Sequence, residues 1–548
     1  MTERGGPDDR ELEVRVTGGT VRGVREGDVL AWRGMPYAAP PFGESRFAAP
    51  APVRSWHGVR DASDFGPIAP QTLLKRLIRP SSLAADVSED CLTVNVYAPA
   101  SASASANATA SSRPGASDPL PVMVFIHGGG YSAGSSREFS GQGEGFVGSG
   151  RIVYVSFNYR LGPLGYLDFS RYSTPERRFD SNLGLRDQVA LLRWVRRNIG
   201  AFGGDPENVT VFGESAGGNA VTTLMATPAA RGLFARAIAQ SPPPNAVYSR
   251  AFAARWAEEY VEILRDVVGE REEVESPEGP GREGDDDPRR FSPTTAELLV
   301  RAEVQELIEA SVMLQVRTPD AHPGEFCLAP VVDGEFLPEQ PLRAFRDGRA
   351  HRVPLIIGTN DREGSIFRGR ADLLPRTPDR IAAMFDRAPA PSREVMRLAY
   401  PGLPAPRAAA DFGGDYGFWY PSTRVADFHS RYAPVWSYRF DFAPRLLKLV
   451  GIDATHGIEM FALFDHADEP LARVMTSLGG SEAYAEAGER MRELWLLFAE
   501  GALAMEGWPR YDERERSTLV IDEEDRIEVD PRRERRRAWN RFLPALAG

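Results

Sequence analysis

The sequence predicts an α/β fold, a mostly parallel sheet with helices on both faces. Three observations carry this. Short apolar runs rich in β-branched residues recur at 122–126, 152–156, 209–212, 353–357 and 435–440, as buried strands require. Segments with apolar residues at helical spacing lie between them, as at 188–199. At 209–226 a strand-like run meets a glycine-rich turn and then a helix-compatible segment. Strands separated by helices pair in parallel, so the sheet is covered on both sides.

Along the chain, residues 1–10 are polar and charged, with no apolar segment of the secretory kind, so no signal peptide is expected. Residues 100–118 open with an Ala/Ser alternation and residues 269–290 are acidic and rich in Pro and Gly. Both are expected to be flexible surface loops. With these as insertions, residues 1–548 are read as one α/β domain. The most apolar helical segment, 494–499, is bounded by Glu493 and Glu500 and falls short of the ~20 apolar residues of a membrane span.

Of 548 residues 42% are hydrophobic, enough for a large core, and the net charge is −12. That charge argues against nucleic acid or an anionic membrane as a partner. Two cysteines in so long a chain suit a reducing compartment, so a cytoplasmic location is expected with both thiols free. No clustered Cys/His spacing supports a metal, and no cofactor is expected. Oligomeric state is left open, with a monomer favoured.

Chemistry concentrates at Gly213, Glu214, Ser215, Ala216 and Gly217. Gly-x-Ser-x-Gly between a strand and a helix is a nucleophile elbow, a turn too tight for side chains at its flanks. A serine hydroxyl needs a base, an acid that orients the base, and donors for the oxyanion. The donors are sought in His127-Gly-Gly-Gly130, which follows the run at 122–126 and has the form of an esterase or lipase oxyanion loop. Gly129 and Gly130 are expected to supply two N–H groups and Ala216 a third, while His127 pins the loop. In the chain order Ser, acid, His, the base comes from His429, His456 or His466. His456, in a glycine-flanked loop before a helical pattern, is favoured. His466 is the runner-up, and His429 lies in a helical segment. The acid belongs just after the run at 353–357, where Asp361 and Glu363 are both chemically suitable.

These residues resemble the type-B carboxylesterase/lipase family, which includes the para-nitrobenzyl esterases and cholinesterases. The resemblance rests on the elbow with the preceding Gly203-Gly204-Asp205-Pro206, on Glu89-Asp90-Cys91-Leu92, Asn158-Tyr159-Arg160, Asn182 through Gln188, and Trp508-Pro509-Arg510-Tyr511. It spans roughly residues 15–525. It implies an α/β-hydrolase fold with inserted cap helices. A Gly-x-Asn-x-x-Glu-Gly motif carries over onto Gly358, Asn360, Glu363 and Gly364, which decides for Glu363 over Asp361. A His-Gly-x-Glu motif falls on His456, Gly457 and Glu459. Glu214 is implied as a supporting contact, and Arg46 as the partner of Glu89. The family's cysteine partner for Cys91 is replaced by Ala69, so that disulfide is expected to be absent. No tryptophan occurs in 57–90, so choline esters are not expected substrates. Gln240-Ser-Pro-Pro-Pro244 departs from the family's Gln-Ser-Gly, so acyl preference does not transfer.

The expectation is a serine hydrolase that cleaves small to medium alkyl or aryl carboxylic esters through an acyl-enzyme. Amide, carbamate or lactone hydrolysis by the same triad is the alternative. A non-catalytic scaffold or adhesion relative is disfavoured, since all three triad positions are filled.

Overall fold

The computed structural model describes residues 12–72, 85–102, 118–275, 294–367 and 373–544. Its centre is an eleven-stranded sheet, numbered here in chain order: β1 (Val24–Glu26), β2 (Val29–Pro36), β3 (Thr93–Pro99), β4 (Leu120–Ile126), β5 (Val153–Phe157), β6 (Gly204–Glu214), β7 (Arg236–Gln240), β8 (Leu355–Asn360), β9 (Val435–Phe440), β10 (Ser517–Ile521) and β11 (Arg526–Val529). The spatial order is β11-β10-β9-β8-β7-β6-β4-β5-β3-β2-β1. Strands β5 to β10 with β4 between β5 and β6 pair in parallel, and the remaining strands extend the edges antiparallel.

All five strands read from the sequence are present, each displaced by a few residues at most except β6, which starts five residues earlier, at Gly204. The alternation of side chains explains why they read as continuous apolar runs. Val122, Val124 and Ile126 enter the core on one face of the sheet, and Met123 and Phe125 the core on the other. The first face is covered by α1 (Leu183–Asn198) and α2 (Ala216–Met225), the second by α7 (Ser481–Ala499), whose Trp495 and Phe498 are fully buried. Glu493 and Glu500, which interrupt the apolar pattern of α7, lie on its outer side and pair with Arg151.

Two insertions interrupt the strand–helix alternation. Between β7 and β8 lie α3 (Arg250–Glu275) and α4 (Val304–Ala321), packed on each other. Between β8 and β9, α5 (Pro406–Gly414) runs through a π-helical turn, Asp415–Trp419, into α6 (Tyr420–His429). The chain ends in α8 (Arg533–Phe542). Helix α3 corrects one expectation: it continues through residues 269–275, which acidity assigns to a loop. Apart from Gly269 that stretch is dominated by Glu and Arg, good helix formers, and proline first appears at Pro277. The rest of that insertion, and residues 103–117 of the Ala/Ser segment, lie outside the described residues.

Several motifs that resemble the family turn out to be stitching. Arg46 makes a two-pronged pair with Glu89, at 2.9 and 2.6 Å. Arg160 does the same with Asp187, at 2.8 and 2.7 Å, both side chains being wholly buried. Asn182 holds Val331 through both its amide groups. Cys91 and Cys327 are buried and not disulfide-bonded, and Ala69 is buried. Among the described residues no helix is long and apolar enough to cross a membrane.

Candidate active site

Parallel strands deliver their C-terminal ends to one edge of the sheet, and the site is built there. Strand β6 ends at Glu214, Ser215 turns the chain, and α2 begins at Ala216. Ser215 has φ 58° and ψ −121°, a conformation that costs a non-glycine residue on the order of 1–3 kcal/mol. The turn is tight because the neighbouring strand crowds it. A Cβ on Gly213 would meet the Ile126 carbonyl oxygen at 2.5 Å, and one on Gly217 would overlap the same oxygen. A Cβ on Gly128 would come within 2.7 Å of the Glu214 carbonyl oxygen, so the glycine loop can lie directly against the elbow.

His456 Nε2 lies 2.8 Å from Ser215 Oγ, and His456 Nδ1 lies 2.6 Å from Glu363 Oε2. The other Glu363 oxygen accepts from the Asn360 amide at 2.7 Å and the Ser241 hydroxyl at 2.6 Å. Glu363 therefore has both oxygens occupied and is buried. Glu214 Oε1 stands 3.2 Å from His456 Nε2, on the serine side of the ring. Buried Glu459 accepts from the Asn360 side chain at 2.6 Å. Burial works against charge on His456, but Glu214, Glu363 and Glu459 outweigh it and raise its pKa to about 9. Burial, reinforced by Glu214 and Glu363, pushes the Glu459 carboxyl up to about 8.

The other sequence candidates fall into place around this line. Gly129 and Gly130 have φ of 112° and 62°, which turns the loop back over the elbow. Among the described residues none accepts a hydrogen bond from the N–H groups of Gly129, Gly130 or Ala216. His127 stacks on Tyr159 at 4.4 Å, and the Tyr159 hydroxyl donates to the His127 carbonyl at 2.6 Å, so it pins the loop. His429 is buried with Nε2 2.8 Å from the Val353 carbonyl, and His466 lies beside Phe139. Asp361 faces Arg532, away from His456.

Sequence reasoning missed three contributors. Ser241 enters the sequence reading only within the divergent stretch 240–244, yet it bonds Glu363. The signal was its position at the end of β7, beside Gly358 of β8 in register with Gln240. Phe418, carried by the π-helical turn, lies 4.3 Å from the His456 ring, and Phe367 lies 5.4 Å from it. No motif marks either one.

A nucleophile elbow at the C-terminal edge of a mostly parallel sheet, with glutamate and then histidine following in chain order, defines an α/β-hydrolase. The carboxylesterase family profile matches residues 10–387. The chain is 34% identical to the para-nitrobenzyl esterase of Bacillus subtilis, over 94% of this chain and 96% of that one. It is 31% identical to the fumonisin B1 esterase of Sphingopyxis macrogoltabida, over 92% of this chain and 86% of that one. A solved PNB esterase structure superimposes with a TM-score of 0.79 at 33% identity, covering 96% of this chain and 99% of that chain. The chain belongs to the carboxylesterase family, and it is a carboxylic-ester hydrolase of the α/β-hydrolase fold.

Proposed function

We propose that this enzyme works through an acyl-enzyme on Ser215, with His456 as base and Glu363 as its orienting acid. The observation that carries this is the unbroken line from Ser215 Oγ through both His456 nitrogens to Glu363. The neutral imidazole takes the serine proton as Oγ attacks the ester carbonyl. The N–H groups of Gly129, Gly130 and Ala216 bind the oxyanion, the charge that grows in the transition state. The imidazolium then gives its proton to the leaving alkoxide, and the acyl-enzyme remains. Water, deprotonated by His456, attacks the acyl carbon and releases the acid and free Ser215. Glu363 stays ionised and holds the histidine tautomer, while Glu214 adds a second negative charge beside the imidazolium.

Small to medium alkyl or aryl esters are the proposed substrates, and the aromatic pair Phe367 and Phe418 beside His456 suits an apolar acyl or alcohol group. No cofactor takes part. A cytoplasmic location is proposed, supported by two buried cysteines that form no disulfide, and a monomer is the proposed form. On short para-nitrophenyl esters, Ser215→Ala is expected to lower kcat by roughly 10⁴- to 10⁶-fold. Near-normal turnover by that variant sinks the assignment. Matched amide and lactone substrates separate the ester reading from its alternative.

A further inference from the structure

Six charged side chains beside the site form a ring of alternating sign. Arg532 bonds Asp361 at 2.5 Å and Asp415 at 3.0 Å. Arg535 bonds the other Asp415 oxygen at 3.0 Å and Asp411 at 3.3 Å. Arg362 bonds the second Asp411 oxygen at 2.8 Å. Asp361 and Arg362 are consecutive, so the peptide bond between them closes the ring. Three guanidiniums meet three carboxylates, and the ring is neutral.

The ring joins three pieces of chain that are distant in sequence. Asp361 and Arg362 begin the turn that carries Glu363. Asp411 lies in α5 and Asp415 opens the π-helical turn that sets Phe418 against His456. Arg532 and Arg535 come from the C-terminal helix and its cap. Arg362 also reaches the loop that ends in His456. Its amide donates to the Ala454 carbonyl at 2.8 Å, and its guanidinium to the Gly451 carbonyl at 3.1 Å and Asp453 at 2.7 Å. Four of the six side chains are at most 18% exposed, and only Arg535 and Asp361 face solvent more.

Buried ion pairs add little stability over apolar packing of the same volume, because desolvation consumes the Coulomb gain. What they do well is fix geometry, since a carboxylate meets a guanidinium in few orientations. We infer that this ring is a positioning device for catalysis: Arg362, Arg532 and Arg535 hold the Glu363 turn, the His456 loop and the Phe418 turn in one register. None of the six touches substrate. The inference rests on Ser215, Glu363 and His456 being the working triad.

The test opens the ring at its outer side with Arg535→Gln and, separately, Asp411→Asn in the full chain. On a para-nitrophenyl ester kcat is expected to fall roughly 10- to 100-fold with KM within about twofold, as small misplacements of reacting groups do. The rising limb of kcat/KM against pH should move to lower pH, because a displaced Glu363 stabilises the imidazolium less. Arg535→Lys, which keeps the charge, should restore most of the rate. If either folded variant keeps wild-type kcat and an unmoved pH limb while only its unfolding temperature drops, the ring is merely structural and the inference is overturned. Wild-type enzyme without Ser215-dependent turnover instead overturns the triad assignment.

Discussion

At the scale of single residues the site is governed by how three glutamates share one histidine. A base must be neutral to take the serine proton, and in the proposed mechanism that base is His456, whose pKa the surrounding carboxylates raise to about 9. The sign follows directly: kcat/KM should rise with pH, with its limb above the ordinary histidine range rather than near 6.5. Glu214 is the first of the charges that raise this pKa. Glu214→Gln removes one negative charge at 3.2 Å from Nε2 and should move the limb toward acid. It should also lower the rate on the alkaline plateau, because the imidazolium formed during acylation loses the same support. A pH–rate profile of the two proteins decides this, and a limb that stays in place removes Glu214 from the account. The elbow, glycine loop and histidine were legible in the sequence because tight backbone approach and fixed spacing leave marks in residue type. The choice of Glu363 over Asp361 needed the family resemblance, since both are acids at one strand end. The structure gives the physical difference: Arg532 engages Asp361, while Glu363 points at His456.

At the scale of elements, strands and the elbow helix were readable because buried parallel strands must be apolar on both faces. The insertions were not. The π-helical turn at Asp415–Trp419 is one residue of extra backbone inside a continuous helical path, and periodicity over so few residues does not resolve it. Helix α3 outran its apolar stripe because Glu and Arg are good helix formers even where few apolar residues mark the path. Long-range polar stitching was legible for the Arg46–Glu89 pair through the family resemblance, and elsewhere only as motifs without a stated purpose. Arg160 and Asp187 show what such a motif does: they tie the segment after β5 to helix α1, in a setting where neither charge sees water. Asp187→Asn leaves the Arg160 guanidinium buried without its charge partner, which costs roughly 3–5 kcal/mol. Chemical denaturation of the variant should show that loss as a lower midpoint with an unchanged slope. A loss under about 1 kcal/mol means that water reaches this pair.

At the scale of the whole molecule, this family member is held together without a covalent cross-link among its described residues. Its two cysteines, Cys91 and Cys327, are both buried, and neither is in a disulfide. Burial is the main cause that drives the Cys91 thiol far above its ordinary pKa, and the charge of Asp187 adds to it. A thiol reacts as its thiolate, so Cys91 is both shielded and protonated in the folded chain. Stability must then come chiefly from the two cores flanking the sheet, and none of it depends on redox state. Ellman's reagent should therefore label close to none of the thiols in the native protein and both after denaturation without reductant. Adding dithiothreitol should leave the unfolding temperature and the esterase rate where they were. Rapid labelling of the folded protein contradicts the burial of these thiols, and fewer than two thiols in the denatured, unreduced protein reveals a cross-link.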